Sequence, residues 1–170
     1  LNFNKFKKQN KSDKTIIENN TEKVVNTGNE KALAQCKIIW KAVKDVEDAI
    51  NDLDDYVVNT DPNSYNYALI VNKAQNIMDI ADNSNKIISD VKYKGIDNVK
   101  KASTAYINDY KMYAQYFEYG VMYNKPNMFD TAKYYKSDAN TQVLTFVTNV
   151  YSFLGDNGFD SSDGLTELME

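Results

Sequence analysis

The stretch 36–57, CKIIWKAVKDVEDAINDLDDYV, decides the fold. Cys36, Val43, Ile50 and Val57 recur at intervals of seven, with Ile39, Val46 and Leu53 interleaved between them. Residues three, four and seven apart share one side of a helix, so the spacing draws an apolar seam along a rod. Charged and polar residues fill most of the remaining positions. The pattern predicts a helix over 29–58 whose seam needs neighbouring helices to cover it.

Asn59-Thr60-Asp61-Pro62 then reads as stop and restart, with Asp61 a capping residue and Pro62 suited to a first helical position. A second seam over 62–94 passes through Tyr67, Ile70, Ala74, Ile77, Ala81, Ile88 and Val91, with Ser84 as its polar gap. Lys94-Gly95 reads as its C-terminal cap. A third helix, about 96 to 124, aligns Val99, Ser103, Tyr106, Tyr110, Tyr113 and Phe117, and Lys125-Pro126 ends it. The fourth, 130–155, is capped by Asp130 and carries Ala132, Tyr135, Ala139, Val143, Phe146, Val150 and Phe153. Gly155-Asp156-Asn157-Gly158 terminates it.

Short connections make successive helices antiparallel neighbours. The expected architecture is therefore all-α: an antiparallel, up-down-up-down four-helix bundle, residues 29–155, with a polar N-terminal arm. Residues 156–170 are expected to be an acidic C-terminal loop or tail with at most one helical turn. In the arm, residues 1–28, six lysines face three carboxylates, a net of +3, which leaves the body near −7. A basic stretch rich in Asn, Lys and Thr before an acidic body has the composition of a tether or spacer.

The absences are as informative as the seams. The 170 residues include no histidine, one cysteine and two prolines, and all twenty basic residues are lysine. Imidazole acid-base chemistry, His metal ligation and guanidinium clamps are thereby removed. A net charge of −4 argues against nucleic acid as a partner, since that would need a basic face. No apolar run approaches the ~18 residues of a spanning helix, so no transmembrane segment is expected in this chain. Cys36 lies on the seam with no His to activate it and reads as a buried, inert thiol. Nucleophile elbows, phosphate loops, dinucleotide fingerprints and Cys/His metal spacings are all missing. Neither catalysis nor a cofactor is expected.

Three clusters remain. Asp45, Asp48, Asp52 and Asp55 form an acidic stripe on the first helix, with Glu47 and Asp54 beside them, and it falls on the side away from the seam. It reads as a solvated face rather than a metal site. The acidic tail 156–164 lacks the spacing of a calcium loop. The third cluster is aromatic: six of the 13 tyrosines lie between 106 and 123. Tyr106, Tyr110 and Tyr113 fit the seam. Tyr116, Tyr119 and Tyr123, with Met112, form a second stripe about 100° away, and Tyr134 and Tyr135 follow the loop.

A helix wedged between two neighbours can use so wide a face for core. Tyrosine also offers broad apolar area with a polar tip, which suits recognition of a protein, peptide or glycan partner. The candidate binding residues are Tyr116, Tyr119, Tyr123 and Tyr134, which as a binding surface should be exposed on one continuous patch. The expected function is a non-catalytic helical binding module, tethered or displayed at the cell envelope or secreted. The alternative is an extracytoplasmic ligand-sensing domain of a receptor, whose four-rod layout is similar to that of this chain.

Overall fold

The computed structural model describes residues 29–169, and only the backbone of Ser161, Ser162 and Asp163. The arm proposed for 1–28 lies outside the described residues. Four long helices, α1 (Glu30–Asn59), α2 (Tyr67–Asp90), α3 (Asp97–Met122) and α4 (Pro126–Asp156), are followed by a short α5 (Ser161–Met169). A single 3₁₀ turn, Pro62–Ser64, lies between α1 and α2. Among the described residues there is no strand, and no helix is long and apolar enough to cross a membrane.

Side-chain partners fix the directions of the rods. Asp52 of α1 meets Lys73 of α2, while Ala42, earlier in α1, accepts from Ser84, later in α2. These helices are antiparallel. Gln75 and Asn85 of α2 reach Glu118 and Asn108 of α3 in reversed order, and Trp40 and Asp54 of α1 meet Phe146 and Lys136 of α4 likewise. Glu47 and Asp54 meet Tyr106 and Tyr113 of α3 in the same order, so α1 and α3 run parallel across the diagonal. The bundle is up-down-up-down.

The seams are the core. Cys36, Ile39, Val46, Leu53, Ile77 and Phe146 are fully buried, at ~25 cal/mol for each Å² of apolar surface removed from water. Ser84, the polar gap of the second seam, is buried and donates to the Ala42 carbonyl at 2.9 Å, so the hydroxyl does not stand orphaned in apolar surroundings. Trp40 is buried with its ring 5.6 Å from Phe146.

Several boundaries differ from the expected ones. Helix α2 begins at Tyr67, capped by Asn66, because Asp61 and Pro62 open only the 3₁₀ turn. It stops at Asp90, and Lys100 donates to the Ser89 and Val91 carbonyls at 2.9 and 2.7 Å. A lysine from the next helix therefore satisfies this terminus, and Gly95, at φ 86°, shapes the turn beyond it. Helix α4 begins at Pro126 rather than Asp130: the proline sits in the first turn, where its missing N–H costs no bond. The end of α3 is closed by Asn124 at φ 49°, with the Lys125 amide bonded to the Gly120 carbonyl at 3.1 Å.

The expected C-terminal loop or tail is corrected to a helix. Gly158 at φ 85° turns the chain, and the Phe159 amide bonds to the Leu154 carbonyl at 3.0 Å. Phe159, Leu165 and Leu168 are then buried against the core. Gly164 allows the approach, since a Cβ there would stand 3.0 Å from Leu154 Cδ1. Burial of that apolar face outweighs the turn-forming composition of the segment.

Candidate functional site

The N-terminus of α1 and the C-terminus of α4 meet at one end of the bundle, where the Asn29 amide bonds to the Asn157 carbonyl at 2.9 Å. The opposite end holds the α1–α2 and α3–α4 connections. Exposed large apolar side chains collect there: Val58, Tyr67, Leu69, Met122, Tyr123 and Tyr134. Grouped exposure of this kind marks interaction surfaces more often than scattered single residues do.

On the outer face of α3 and α4 the tyrosines form a continuous series of rings. Tyr123 lies 5.9 Å from Tyr119, Tyr119 lies 6.3 Å from Tyr116, and Tyr116 stacks on Tyr135 at 5.5 Å with an interplanar angle of 11°. Tyr134 adjoins Tyr135 edge-on at 5.4 Å. The structure thus brings together all four tyrosines named from the sequence, with Tyr135 as the link. Their exposure is uneven. Tyr123 and Tyr134 are 60% and 65% exposed, whereas Tyr116 and Tyr119 are partly buried, and Tyr119 accepts a hydrogen bond from Gln115 at 2.9 Å. Two of the four rings are open to solvent over most of their surface, with Tyr119 packed against Tyr123 and Tyr135 against Tyr134.

On the inner side of the same end lies a cleft of ≈ 900 Å³. Val57, Tyr65, Tyr67, Phe117, Val121 and Phe129 form much of its wall. It exists because α4 packs mainly on α3 and only lightly on α1. Far from the cleft, Trp40 and Phe146 fill the space between α1 and α4; here the wall offers the smaller Val57 and Ala132. Gly120 lets Phe129 lie against α3, since a Cβ there would stand 2.8 Å from the ring. Nothing in the heptad pattern announces this cleft. The small residues Gly120 and Ala132 on facing helices were the available signal.

The polar groups around the cleft are ordered by Asp54. Its carboxylate accepts from Tyr113 Oη at 2.7 Å and pairs with Lys136, whose ammonium sits 5.1 Å from the centre of the Tyr113 ring. Burial, then the Asp54 charge, pushes the Tyr113 hydroxyl well above the ordinary phenol range. Tyr113 therefore stays a neutral donor. The four aspartates of the acidic stripe lie outward, but Asp54 beside them points between helices. Glu47 goes further, being buried and accepting from Tyr106. Burial pushes its carboxyl up to about 7. The outward members behave as a solvated face, with Lys41–Asp45 and Lys44–Asp48 paired one turn apart and Asp52 paired with Lys73. Among the described residues no group of three or more metal-ligating side chains is arranged to hold an ion.

Cys36 is fully buried, and burial pushes its thiol up to about 12, so it carries no thiolate near neutral pH. The site that stands out is an aromatic end of an all-α bundle, with a ring series on one side of α4 and a cleft on the other. No protein-family model matches the chain, and comparison with curated proteins and with solved structures finds no match.

Proposed function

We propose that this chain is a non-catalytic binding module that presents its aromatic end to a peptide, protein or glycan partner. The observation that carries this reading is the ring series Tyr123–Tyr119–Tyr116–Tyr135–Tyr134, with its two ends exposed. Rigid rings supported from behind lose little freedom on binding, which is how tyrosine-rich surfaces gain affinity. The arm at 1–28 enters the bundle at Asn29, the end remote from Tyr123. With ~1.5 Å of rise per residue, the 31 residues of α4 separate the two ends by about 45 Å. A module held through that arm at a cell envelope would point its tyrosines outward.

Peptide and glycan arrays probed with the wild type and with a Tyr123→Ser/Tyr134→Ser variant test this. The variant should melt close to wild type, since exposed substitutions cost within about 0.5 kcal/mol, and should lose array binding. Unchanged binding, or a variant that no longer folds, would remove the reading.

One observation supports a second reading, the ligand-sensing receptor domain: the cleft between the helices. A receptor domain of this kind is flanked by membrane spans on both sides in the full-length gene product, whereas a tethered module has a single N-terminal anchor or signal.

A further inference from the structure

We propose that the cleft at the aromatic end is a binding site for an amphipathic organic acid, a molecule with an apolar chain or ring body and one anionic terminus. The site stands apart from the tyrosine ridge, and it serves a tethered module and a sensing domain equally.

Size and wall chemistry come first. A volume of ≈ 900 Å³ lies within the range of small-molecule sites, which are concave, mostly apolar and supplied with a few polar groups. The phenyl and phenol rings of Phe117, Phe129, Tyr65 and Tyr67 line it. The Tyr65 hydroxyl is already committed to the Val57 carbonyl at 2.7 Å, and the Tyr113 hydroxyl to Asp54. Apart from the Tyr67 hydroxyl and the Asn124 amide the walls offer apolar surface, so the body of the ligand is largely apolar.

Charge selects the terminus. The protein carries a net −4, yet the charged residues lining the cleft are Lys133 and Lys136, with no carboxylate among them. Lys136 is held by Asp54 and by the Tyr113 ring. Lys133 is different. Its side chain is 79% exposed, and its partner Asp130 lies 4.0 Å away on the same helix, a contact of the weak surface kind. Its flexible stem can swing the ammonium to an anion at the mouth. A cationic ligand would meet the Lys133 ammonium, and Lys136, already balanced by Asp54, offers it no counter-charge. A carboxylate or sulfonate gains a charge-assisted hydrogen bond that is stronger than the ion pair it displaces.

Anilinonaphthalene sulfonate, an aromatic body with one anionic group, is the probe. It should bind the native full chain saturably with enhanced fluorescence, and dodecanoate should displace it, while dodecyltrimethylammonium at equal submicellar concentration should not. Val121→Trp, which fills the cleft, should abolish binding. Lys133→Glu should weaken the probe and dodecanoate by up to about tenfold, because it replaces a surface attraction with a repulsion of similar size. Tyr123→Ser/Tyr134→Ser should leave probe binding unchanged, which separates this site from the ridge. Absence of saturable binding, equal displacement by the cationic detergent, or unchanged affinity in Lys133→Glu would each overturn the proposal. Lys133→Glu alters an exposed side chain and decides the matter even where Val121→Trp fails to fold.

Discussion

At the residue scale the least expected feature is Glu47, a carboxyl inside the bundle with Tyr106 as hydrogen-bond donor. Burial raises its pKa from 4.5 to about 7, against the opposing effects of the Tyr106 hydrogen bond and the Lys44 charge. Between those values the folded protein keeps a proton that the unfolded chain has released. Stability therefore falls as pH rises from about 4.5 to 7, by on the order of 3 kcal/mol, and levels off above. Asp109, raised to about 6 by burial and by neighbouring Asp138, acts in the same direction. Denaturant melts should give greater stability near pH 5 than near pH 8, with Glu47→Gln flattening the slope and gaining most at the higher pH. A slope steeper in Glu47→Gln than in wild type would count against a buried, proton-holding Glu47. Asn124 offers a second test at this scale. Its φ of 49° lies in the left-handed region, which a β-branched side chain resists. Asn124→Val should cost about 1 to 2 kcal/mol in the same melts, and Asn124→Gly close to nothing.

Among the elements, the four rods were legible because each seam repeats over several turns, and the bundle follows from seams joined by short loops. The ends were less legible. Capping by Lys100 of α3 at the terminus of α2 is a tertiary event with no local signature. Pro126 both follows the end of α3 and starts α4, and from the sequence a proline is compatible with either role. The segment after Gly158 has the Asp, Ser and Gly of a loop, and its apolar residues are too few to define a period. Only the exposed end of the core makes Phe159, Leu165 and Leu168 worth burying. Leu168→Ala should accordingly destabilise the whole bundle by about 2 to 4 kcal/mol, as a core truncation does. A melt unchanged by that substitution would return the segment to the status of a tail.

Across the whole molecule the bundle has a closed end and an open one. Trp40 and Phe146 fill the gap between α1 and α4 in one half, and the cleft occupies it in the other. The tyrosine surplus was visible in the sequence, and so was its division into two stripes. The cleft was not, because it arises where the lightly packed α1 and α4 face each other with small side chains, a property of packing that heptad spacing does not encode. The partial burial of Tyr116 was equally hidden, since it depends on Tyr135 from the next helix. The most direct measurement is residue-resolved tyrosine nitration of the native protein, mapped by mass spectrometry. Tyr67, Tyr123 and Tyr134, each at least 60% exposed, should react first, Tyr116 and Tyr119 slowly, and Tyr106, Tyr110 and Tyr113 only on unfolding. Protection of Tyr123 and Tyr134, or reaction of Tyr106 at their rate, would contradict an aromatic end open to a partner and a tyrosine seam closed within the core.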